Sequence, residues 1–148
     1  MPRLPDAGPC DLLANCGPCD LLAIGGPTAS GKTRLGVELA LRLGGEILSA
    51  DSRQVYRGLD LGTGKDLAEY RTPRGLVPYH LIDIADPAQV YTLWRFAADF
   101  AAAYAGVRAR GHLPVAVGGT GLYLEAVLRA FRIPPTPPDD RIRVDMAD

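Results

Sequence analysis

The chain has 148 residues, about the size of one domain, and its 47% hydrophobic and 22% charged content is usual for a globular protein. Its formal net charge of −1 excludes a strongly basic surface field, so any contact with nucleic acid requires a local patch. No apolar run approaches the roughly 20 residues that span a bilayer, and the amino terminus lacks a secretory signal pattern. We therefore expect a monomeric cytoplasmic protein with no membrane contact.

Residues 1–19 differ from the rest of the chain. A seven-residue segment occurs twice with a period of nine, as Gly8–Ala14 and Gly17–Ala23, and the second copy runs into the first predicted strand. Two copies are too few for a repeat architecture, and we interpret residues 1–19 as a duplicated, mobile leader. This region also contains the three cysteines, which provide at most half of a zinc site and fit a reducing compartment: Cys10, Cys16 and Cys19.

The segment Gly26–Thr33 fits the phosphate-loop pattern G-x-x-x-x-G-K-[ST] at every fixed position. It follows an apolar run predicted as a strand over Leu21–Gly25 and precedes a run with helical spacing, predicted as a helix over 32–43. In this context the backbone N–H groups of the loop and the amino end of the helix bind phosphate oxygens. The predicted phosphate-binding residues are therefore those of the loop: Gly26, Pro27, Thr28, Ala29, Ser30, Gly31, Lys32 and Thr33.

Two residues of this loop carry the expected chemistry. We expect the Lys32 ammonium to reach the outer phosphates and the Thr33 hydroxyl to ligate Mg²⁺. The alternative for the whole segment is a tight strand-to-helix turn that binds no ligand.

A second strand is predicted over Glu46–Ala50, where an apolar run indicates a buried and therefore parallel strand. It delivers Asp51 to the carboxyl edge of the sheet, the edge at which the phosphate loop also opens. We expect the Asp51 carboxylate to face the phosphate site, with a turn or helix-capping role as the alternative.

The middle of the chain gives weaker signals. Residues 67–78 are polar, contain prolines and a glycine, and are predicted as an exposed loop. Tyr79–Ile84 is the candidate for a third strand. His80 and Asp83 within it are predicted to be structural, since His80 has no ligand partners nearby, and the alternative for Asp83 is a contribution to a magnesium site.

The remaining elements complete an alternation of strands and helices. A helix is predicted over Tyr91–Arg110, a strand over Leu113–Val117 and a helix over Leu122–Phe131, with the glycine-rich turn 118–121 between the last two. The long helix has one apolar stripe that faces the core: Leu93, Phe96, Phe100, Tyr104 and Val107. Pro134–Pro138 cannot lie inside a helix or sheet and indicates a linker.

This order predicts a three-layer α/β fold of the phosphate-loop NTPase type, with a mainly parallel sheet flanked by helices. The predicted core covers residues 20–133, and residues 134–148 are predicted to be a linker that leads out of it.

Five segments, in the same order, resemble those of the tRNA dimethylallyltransferase (isopentenyltransferase) family. The resemblance covers roughly residues 21–145 and is carried by Gly26–Thr33, Asp51–Gly58, Leu61–Lys65, His80–Asp83 and Gly118–Tyr123. It implies transfer of a dimethylallyl group from dimethylallyl diphosphate to the exocyclic amine of an adenosine in the tRNA anticodon stem-loop, with Mg²⁺.

The resemblance also implies roles for single residues. Asp51 matches the proposed general base, while Lys32 and Thr33 stabilise the departing diphosphate. The residues implied to contact tRNA are Asp51, Ser52, Arg53, Gln54 and Thr120.

The chain departs from the family pattern in two ways. Gly64 and Asp66 flank Lys65, where the family usually has alanine and proline. The family's second half, a helical lid with further arginines, is expected to be missing, so the fold is expected to be truncated. An inactive fragment is the alternative to an active enzyme. Three alternatives stay open: prenylation of a free adenine nucleotide, phosphorylation of a small metabolite, and nucleotide binding without activity.

Overall fold

A computed structural model of the chain describes residues 20–130. The predicted leader, its three cysteines and the proline-rich linker all lie outside the described residues. Within residues 20–130, no helix is long and apolar enough to cross a membrane.

The main sheet has four parallel strands in the order β1-β6-β2-β5. These strands are β1 (Leu22–Gly25), β2 (Gly45–Ser49), β5 (Tyr79–His80) and β6 (Leu113–Gly118). A separate antiparallel hairpin consists of β3 (Arg71–Thr72) and β4 (Gly75–Leu76). Since β6 lies between β1 and β2, the segments that follow these three strands meet at one carboxyl edge of the sheet, as the sequence predicts.

Three helices flank this sheet. The helix α1 spans Lys32–Leu43, as predicted, and ends at Gly44 in a left-handed backbone conformation. The helix α2 spans Leu93–Ala109 and begins after Thr92, whose side chain accepts the Arg95 N–H. The helix α3 spans Gly121–Leu128, so the prediction that this helix continues to Phe131 was wrong.

Two hydrophobic clusters lie on opposite faces of the sheet, because successive strand residues point to opposite sides. On one face Leu48 and Ala116 belong to a cluster with Phe96, Phe100 and Tyr123 of α2 and α3. On the other face the cluster contains the α1 residues Val37 and Ala40 with the strand residues Ile47, Val115 and Val117. The predicted three-layer arrangement and the apolar stripe of α2 are both confirmed, with Phe96, Phe100 and Val107 fully buried.

The prediction of an exposed loop over residues 67–78 was right in that most of the segment is exposed, but wrong in that the segment is not an irregular loop. The segment forms a 3₁₀ helix (Leu67–Tyr70) followed by the β3–β4 hairpin. Tyr70 and Val77 are only 3% and 2% exposed, and both belong to the cluster under α1. Short strands with polar residues give no periodic signal, which is why the sequence pattern missed them.

The predicted strand Tyr79–Ile84 is also shorter than expected, since β5 ends at His80. Leu81 and Asp83 have φ angles of 66° and 57°, in the left-handed region that is incompatible with a strand. Residues 81–85 instead pair with the segment after β2, through the bonds Asp83 N–H to Gln54 O and Ile84 N–H to Val55 O.

Candidate functional site

The phosphate loop forms the turn between β1 and α1 that the sequence predicts. Within it, the Ser30 hydroxyl donates a hydrogen bond to the Pro27 carbonyl at 2.8 Å, and the Lys32 ammonium donates to the same carbonyl. The loop lines a cavity of about 220 Å³ together with the starts of the segments that follow β2 and β6.

The amino end of α1 opens into this cavity. The helix begins at Lys32 without a side-chain cap and without an acidic residue in its first turn. The first N–H groups of a helix have no partner inside the helix, and the helix dipole favours an anion at this end. Lys32 and Thr33 both line the cavity. The arrangement therefore suits a phosphate group.

Asp51 stands on the turn that follows β2, and its side chain is 13% exposed. Its Oδ1 atom accepts the Arg53 N–H at 3.0 Å and lies 3.8 Å from Arg53 Nε. Its Oδ2 atom accepts no hydrogen bond from any other described residue. One side of the carboxylate is thus fixed by the turn, and the other is available to a ligand.

Gly119 separates Asp51 from Lys32. A Cβ atom at this position would lie 3.6 Å from Asp51 Oδ2 and 3.9 Å from Lys32 Nζ. Within residues 20–130 the two charged groups form no ion pair with each other, although both face the same space. A negative and a positive group that share a cavity without neutralising each other are suited to bind a substrate between them.

The turn after β2 is tied to the turn after β6. Thr120 Oγ1 accepts the Ser52 N–H at 2.9 Å and donates to Ser52 Oγ at 3.2 Å. The Thr120 N–H also donates to the Ala50 carbonyl. The structure therefore brings Ser52, Thr120 and Asp51 together at one edge of the site.

Arg53 and Gln54 differ in availability. The Arg53 side chain is 54% exposed and reaches Thr28 Oγ1 of the phosphate loop at 3.3 Å. Gln54 uses both ends of its amide within the chain: Oε1 accepts from Ser49 Oγ and Nε2 donates to the Gly64 carbonyl. Contact of these residues with tRNA stays a prediction, and Gln54 has one amide N–H and one Oε1 lone pair that these two bonds do not use.

The glycine-threonine loop (Leu61–Lys65) and the 3₁₀ helix after it also line the cavity, a role that the sequence patterns did not assign. The described cavity-lining residues that were not predicted fall in two regions, this loop with its 3₁₀ helix and the end of β6: Thr63, Gly64, Asp66, Glu69, Tyr70, Val117, Gly118 and Gly119. The similarity of the Leu61–Lys65 and Gly118–Tyr123 segments to family motifs was the available signal.

Both departures from the family pattern beside Lys65 have local structural roles. Gly64 has a φ angle of 67°, which a residue with a side chain adopts only with strain. Asp66 accepts the Ala68 N–H and so caps the 3₁₀ helix that leads to buried Tyr70. Gly64 thus suits the left-handed backbone at its position, and Asp66 suits the start of the 3₁₀ helix.

A second charged cluster, which the sequence did not reveal, lies at the amino edge of the sheet. Arg110 donates two hydrogen bonds to the buried Glu46 carboxylate, at 2.8 and 2.7 Å. His80 Nε2 and His112 Nδ1 lie 2.6 Å from its two oxygens. The bonds from Arg110, above all, outweigh burial and hold the Glu46 pKa well below its ordinary value. His80 is structural, as predicted, with a partner 34 residues away.

The cavity contains the oxygen groups that a phosphate-bound Mg²⁺ requires. The ion usually takes one or two ligands from a protein and the rest from phosphate and water. Thr33 supplies a hydroxyl, and Asp51, Asp66 and Glu69 are the carboxylates that line the cavity. In the described part of the chain, no three His, Cys, Asp or Glu residues form a self-sufficient metal site. The donor set therefore fits a metal that arrives with a phosphate ligand.

Fold and site together define a phosphate-loop α/β protein in which an acidic residue, Asp51, lines the phosphate cavity together with Lys32. Comparison with protein families gives two matches: the IPP transferase model over residues 54–148 and the isopentenyl transferase model over residues 19–72. The first match covers more than half of the chain. The chain therefore belongs to the IPP transferase family.

Individual relatives agree with this assignment. The chain is 59% identical over 121 residues to tRNA dimethylallyltransferase 1 of Geotalea daltonii, which covers 82% of this chain and 38% of the relative. It is 54% identical over 122 residues to tRNA dimethylallyltransferase 2 of Bacteroides fragilis, covering 82% and 40% of the two chains. The chain thus spans about two fifths of the length of these relatives.

Solved structures show the same fold. The full-length tRNA isopentenylpyrophosphate transferase of Bacillus halodurans superposes with a TM-score of 0.72 at 44% identity, over 86% of this chain and 41% of that one. A eukaryotic dimethylallyltransferase that acts on tRNA gives a TM-score of 0.71 at 30% identity, over 85% and 31% of the two chains. The predicted phosphate-loop α/β fold is confirmed.

Proposed function

We propose that this chain carries the catalytic part of a tRNA dimethylallyltransferase, which moves a dimethylallyl group from dimethylallyl diphosphate to the exocyclic amine of adenosine next to the anticodon. The observation that carries the proposal is that Asp51 Oδ2 and Lys32 Nζ both face the space beside Gly119, inside the phosphate cavity, without forming an ion pair. The names of the relatives support the choice of donor and acceptor.

The phosphate loop acts on the leaving group, which is the diphosphate. As the allylic carbon–oxygen bond breaks, its electron pair stays on the diphosphate oxygen, where negative charge develops. The Lys32 ammonium and the N–H groups at the start of α1 are positioned to stabilise that charge. Mg²⁺, held by the Thr33 hydroxyl and the phosphates, would supply further positive charge there.

Asp51 acts on the acceptor, which is the exocyclic amine of adenosine. The amine of adenine is a weak nucleophile because its lone pair is delocalised into the ring. As the amine nitrogen bonds to the allylic carbon, it must lose a proton, and the Asp51 carboxylate is the group that accepts it. A positioned base of this kind accelerates a reaction by about 10²–10⁴-fold. The adenine itself also has to leave the base stack of the RNA to reach the cavity.

The remaining predicted RNA contacts surround Asp51. Arg53 is exposed beside the cavity, and Ser52 and Thr120 are joined by hydrogen bonds at its edge. We infer that Arg53 meets the RNA backbone, while the Ser52–Thr120 pair lies against the nucleoside that enters the cavity.

A single-turnover experiment tests this function. The chain, in excess, is mixed with labelled dimethylallyl diphosphate, Mg²⁺ and an anticodon stem-loop. A matched stem-loop with inosine in place of the target adenosine lacks the exocyclic amine and serves as the control. We expect label on the adenosine stem-loop alone.

Other outcomes identify the competing functions. Transfer to free adenosine monophosphate but not to the stem-loop would indicate a nucleotide prenyltransferase. ATP turnover without a prenyl donor would indicate a kinase. Binding of the diphosphate with no transfer would contradict catalysis by this chain and leave it a binding domain.

A further inference from the structure

Lys65 is a charged residue that the fold buries almost completely. Its side chain is 1% exposed, and its Nζ donates three hydrogen bonds: to the Tyr56 carbonyl at 2.8 Å, Asp60 Oδ1 at 3.1 Å and Asp83 Oδ1 at 2.6 Å. Burial by itself would lower the Lys65 pKa, but the contacts with Asp83 and Asp60 outweigh it and raise the pKa above its ordinary value. The side chain therefore stays charged, and its three hydrogen-bonding positions are all used.

These bonds join Lys65 to three points of the fold. Tyr56 lies in the turn that begins at Asp51, Asp60 directly precedes the glycine-threonine loop, and Asp83 lies in the segment after β5. The segment after β5 also pairs directly with the turn, since Ile84 N–H donates to Val55 O and Arg57 N–H donates to Ala85 O, both at 2.9 Å. Lys65 thus lies at the junction of the turn that carries Asp51, the stretch that contains Asp60 and the segment after β5.

The backbone around Asp83 indicates that this junction is held by its contacts. Leu81 and Asp83 both have positive φ angles, although neither is a glycine. Such conformations persist where surrounding interactions fix them, and they cluster near functional sites. The Asp83 carboxylate bonds to Lys65, and its main-chain carbonyl accepts from Arg57 Nε at 2.8 Å.

A further hydrogen bond ties the glycine-threonine loop to the turn that carries Asp51. Gln54, three residues after Asp51, donates from Nε2 to the carbonyl of Gly64, the residue before Lys65. Lys65 itself is not among the described residues that line the cavity, whereas its neighbours Gly64 and Asp66 are. Any effect of Lys65 on the reaction must therefore pass through the residues that it holds.

We propose that Lys65 is a positioning residue for prenyl transfer, which fixes the turn 51–57 through Tyr56 and Asp83 and so holds the Asp51 carboxylate beside Lys32. The proposal rests on the proposed function of Asp51 as the base. It gives a role to a charged lysine of the glycine-threonine loop that does not line the cavity.

Amide hydrogen exchange tests the positioning directly and requires no transfer activity. Lys65→Met keeps the unbranched stem of the side chain and removes the terminal ammonium with its charge and hydrogen bonds. We expect exchange at the Arg57 and Ile84 amides to become at least about tenfold faster, while the amides of Leu48 and Ala116 in the central sheet stay protected. Unchanged exchange at Arg57 and Ile84, or a loss of protection throughout the sheet, would overturn the proposal.

Transfer kinetics provide the second test. For Lys65→Met we expect the single-turnover rate constant to fall at least about tenfold, with the dissociation constant for inorganic diphosphate unchanged. In an Asp51→Asn background the same substitution should cause no further loss, because Lys65 acts through Asp51. Arg129→Met, which removes an exposed cation directly after α3, is the matched control and should leave the rate unchanged.

The two tests separate the failure of this proposal from failure of the proposed function. Weaker diphosphate binding in Lys65→Met, or an equal further loss of transfer in the Asp51→Asn background, would show a general structural role and overturn the positioning role. If the unmodified chain transfers no prenyl group, the function fails, and the exchange measurement still decides whether Lys65 fixes the turn. Asp83→Asn, which keeps a hydrogen-bond acceptor, should give a smaller change in exchange than Lys65→Met.

Discussion

The two edges of the central sheet use carboxylates in opposite ways. At the amino edge, Glu46 is 3% exposed, and both of its oxygens are occupied by Arg110 and two histidines. At the carboxyl edge, Asp51 has one oxygen held by Arg53 and the other turned toward the space at Gly119. A fully bonded carboxylate stabilises the fold, whereas a half-bonded one beside a lysine is available for chemistry.

The lysines of the chain show the same contrast. The described structure contains Lys32, which lines the phosphate cavity, and Lys65, whose charge is enclosed by two carboxylates and a carbonyl. Both lie in glycine-containing loops at the carboxyl edge, so their local sequences do not separate them. The partners that the fold places around each ammonium decide which charge meets a ligand.

The largest effect is expected at Asp51. Asp51→Asn keeps the size and the hydrogen bond to the turn but removes the basic oxygen. We expect the rate constant for single-turnover transfer to fall by about 10²–10⁴-fold, with diphosphate binding unchanged. Transfer at the normal rate in this variant would show that Asp51 is not the base.

Lys32→Ala should affect binding first. An ammonium that hydrogen-bonds to a phosphate contributes about 1.5–3 kcal/mol to the binding free energy. Its loss corresponds to a roughly 10–100-fold larger dissociation constant for inorganic diphosphate. Calorimetric titration measures it. The thermal unfolding midpoint should stay the same, because the side chain bonds to its own loop rather than to the core. Equal affinity in the variant would mean that the phosphate loop does not bind the diphosphate.

Glu46→Gln should lower stability without changing the cavity. The amide can accept only part of the bonds from Arg110 and the histidines, and we expect a loss of about 1–3 kcal/mol in the free energy of unfolding, measured by denaturant titration. Diphosphate affinity should stay the same, since the cluster lies at the opposite edge of the sheet. A changed affinity would show that the two edges are coupled.

The same residue predicts a pH dependence. Because the Glu46 pKa is lowered in the folded chain, its contribution is fully present above the ordinary value of 4.5 and is lost as the pH falls below it. The difference in unfolding free energy between the chain and Glu46→Gln should therefore shrink on acidification from about pH 7 to about pH 3. A difference that is constant over this range would contradict the ion-pair account.

Gly119→Ala is expected to have the smallest effect. The added methyl group would meet Asp51 Oδ2 and Lys32 Nζ at ordinary contact distances of 3.6 and 3.9 Å, so the fold should tolerate it. The methyl group would nevertheless occupy space between the two functional groups, and we expect transfer to fall by about tenfold, in line with a small displacement of reacting groups. An unaffected rate would place the reacting atoms elsewhere in the cavity.

The elements predicted well from the sequence are those whose signals are local. The bounds of α1 follow from an apolar period and from the glycines at its two ends, and both are readable in one stretch of chain. Asp51 and Lys32 were expected at the same edge because parallel strands end there. The structure brings both into one cavity.

What the sequence did not reveal depends on distant partners. The hairpin at 71–76 has strands of two residues, and Tyr70 and Val77 are buried through contacts with α1 that no local pattern records. The cluster around Glu46 joins residues 34 and 66 positions apart. The strand predicted through Asp83 ends early because contacts with Lys65 and the turn after β2 hold a left-handed backbone there.

The most direct test of the contrast between the two edges is a crossed comparison of Asp51→Asn and Glu46→Gln. Single-turnover transfer and the free energy of unfolding are measured for both variants and for the unmodified chain. We expect Asp51→Asn to lose transfer and keep its stability, and Glu46→Gln to lose stability and keep its transfer rate at a temperature where it is folded. Loss of both properties in both variants would contradict the separation of a catalytic edge from a stabilising edge.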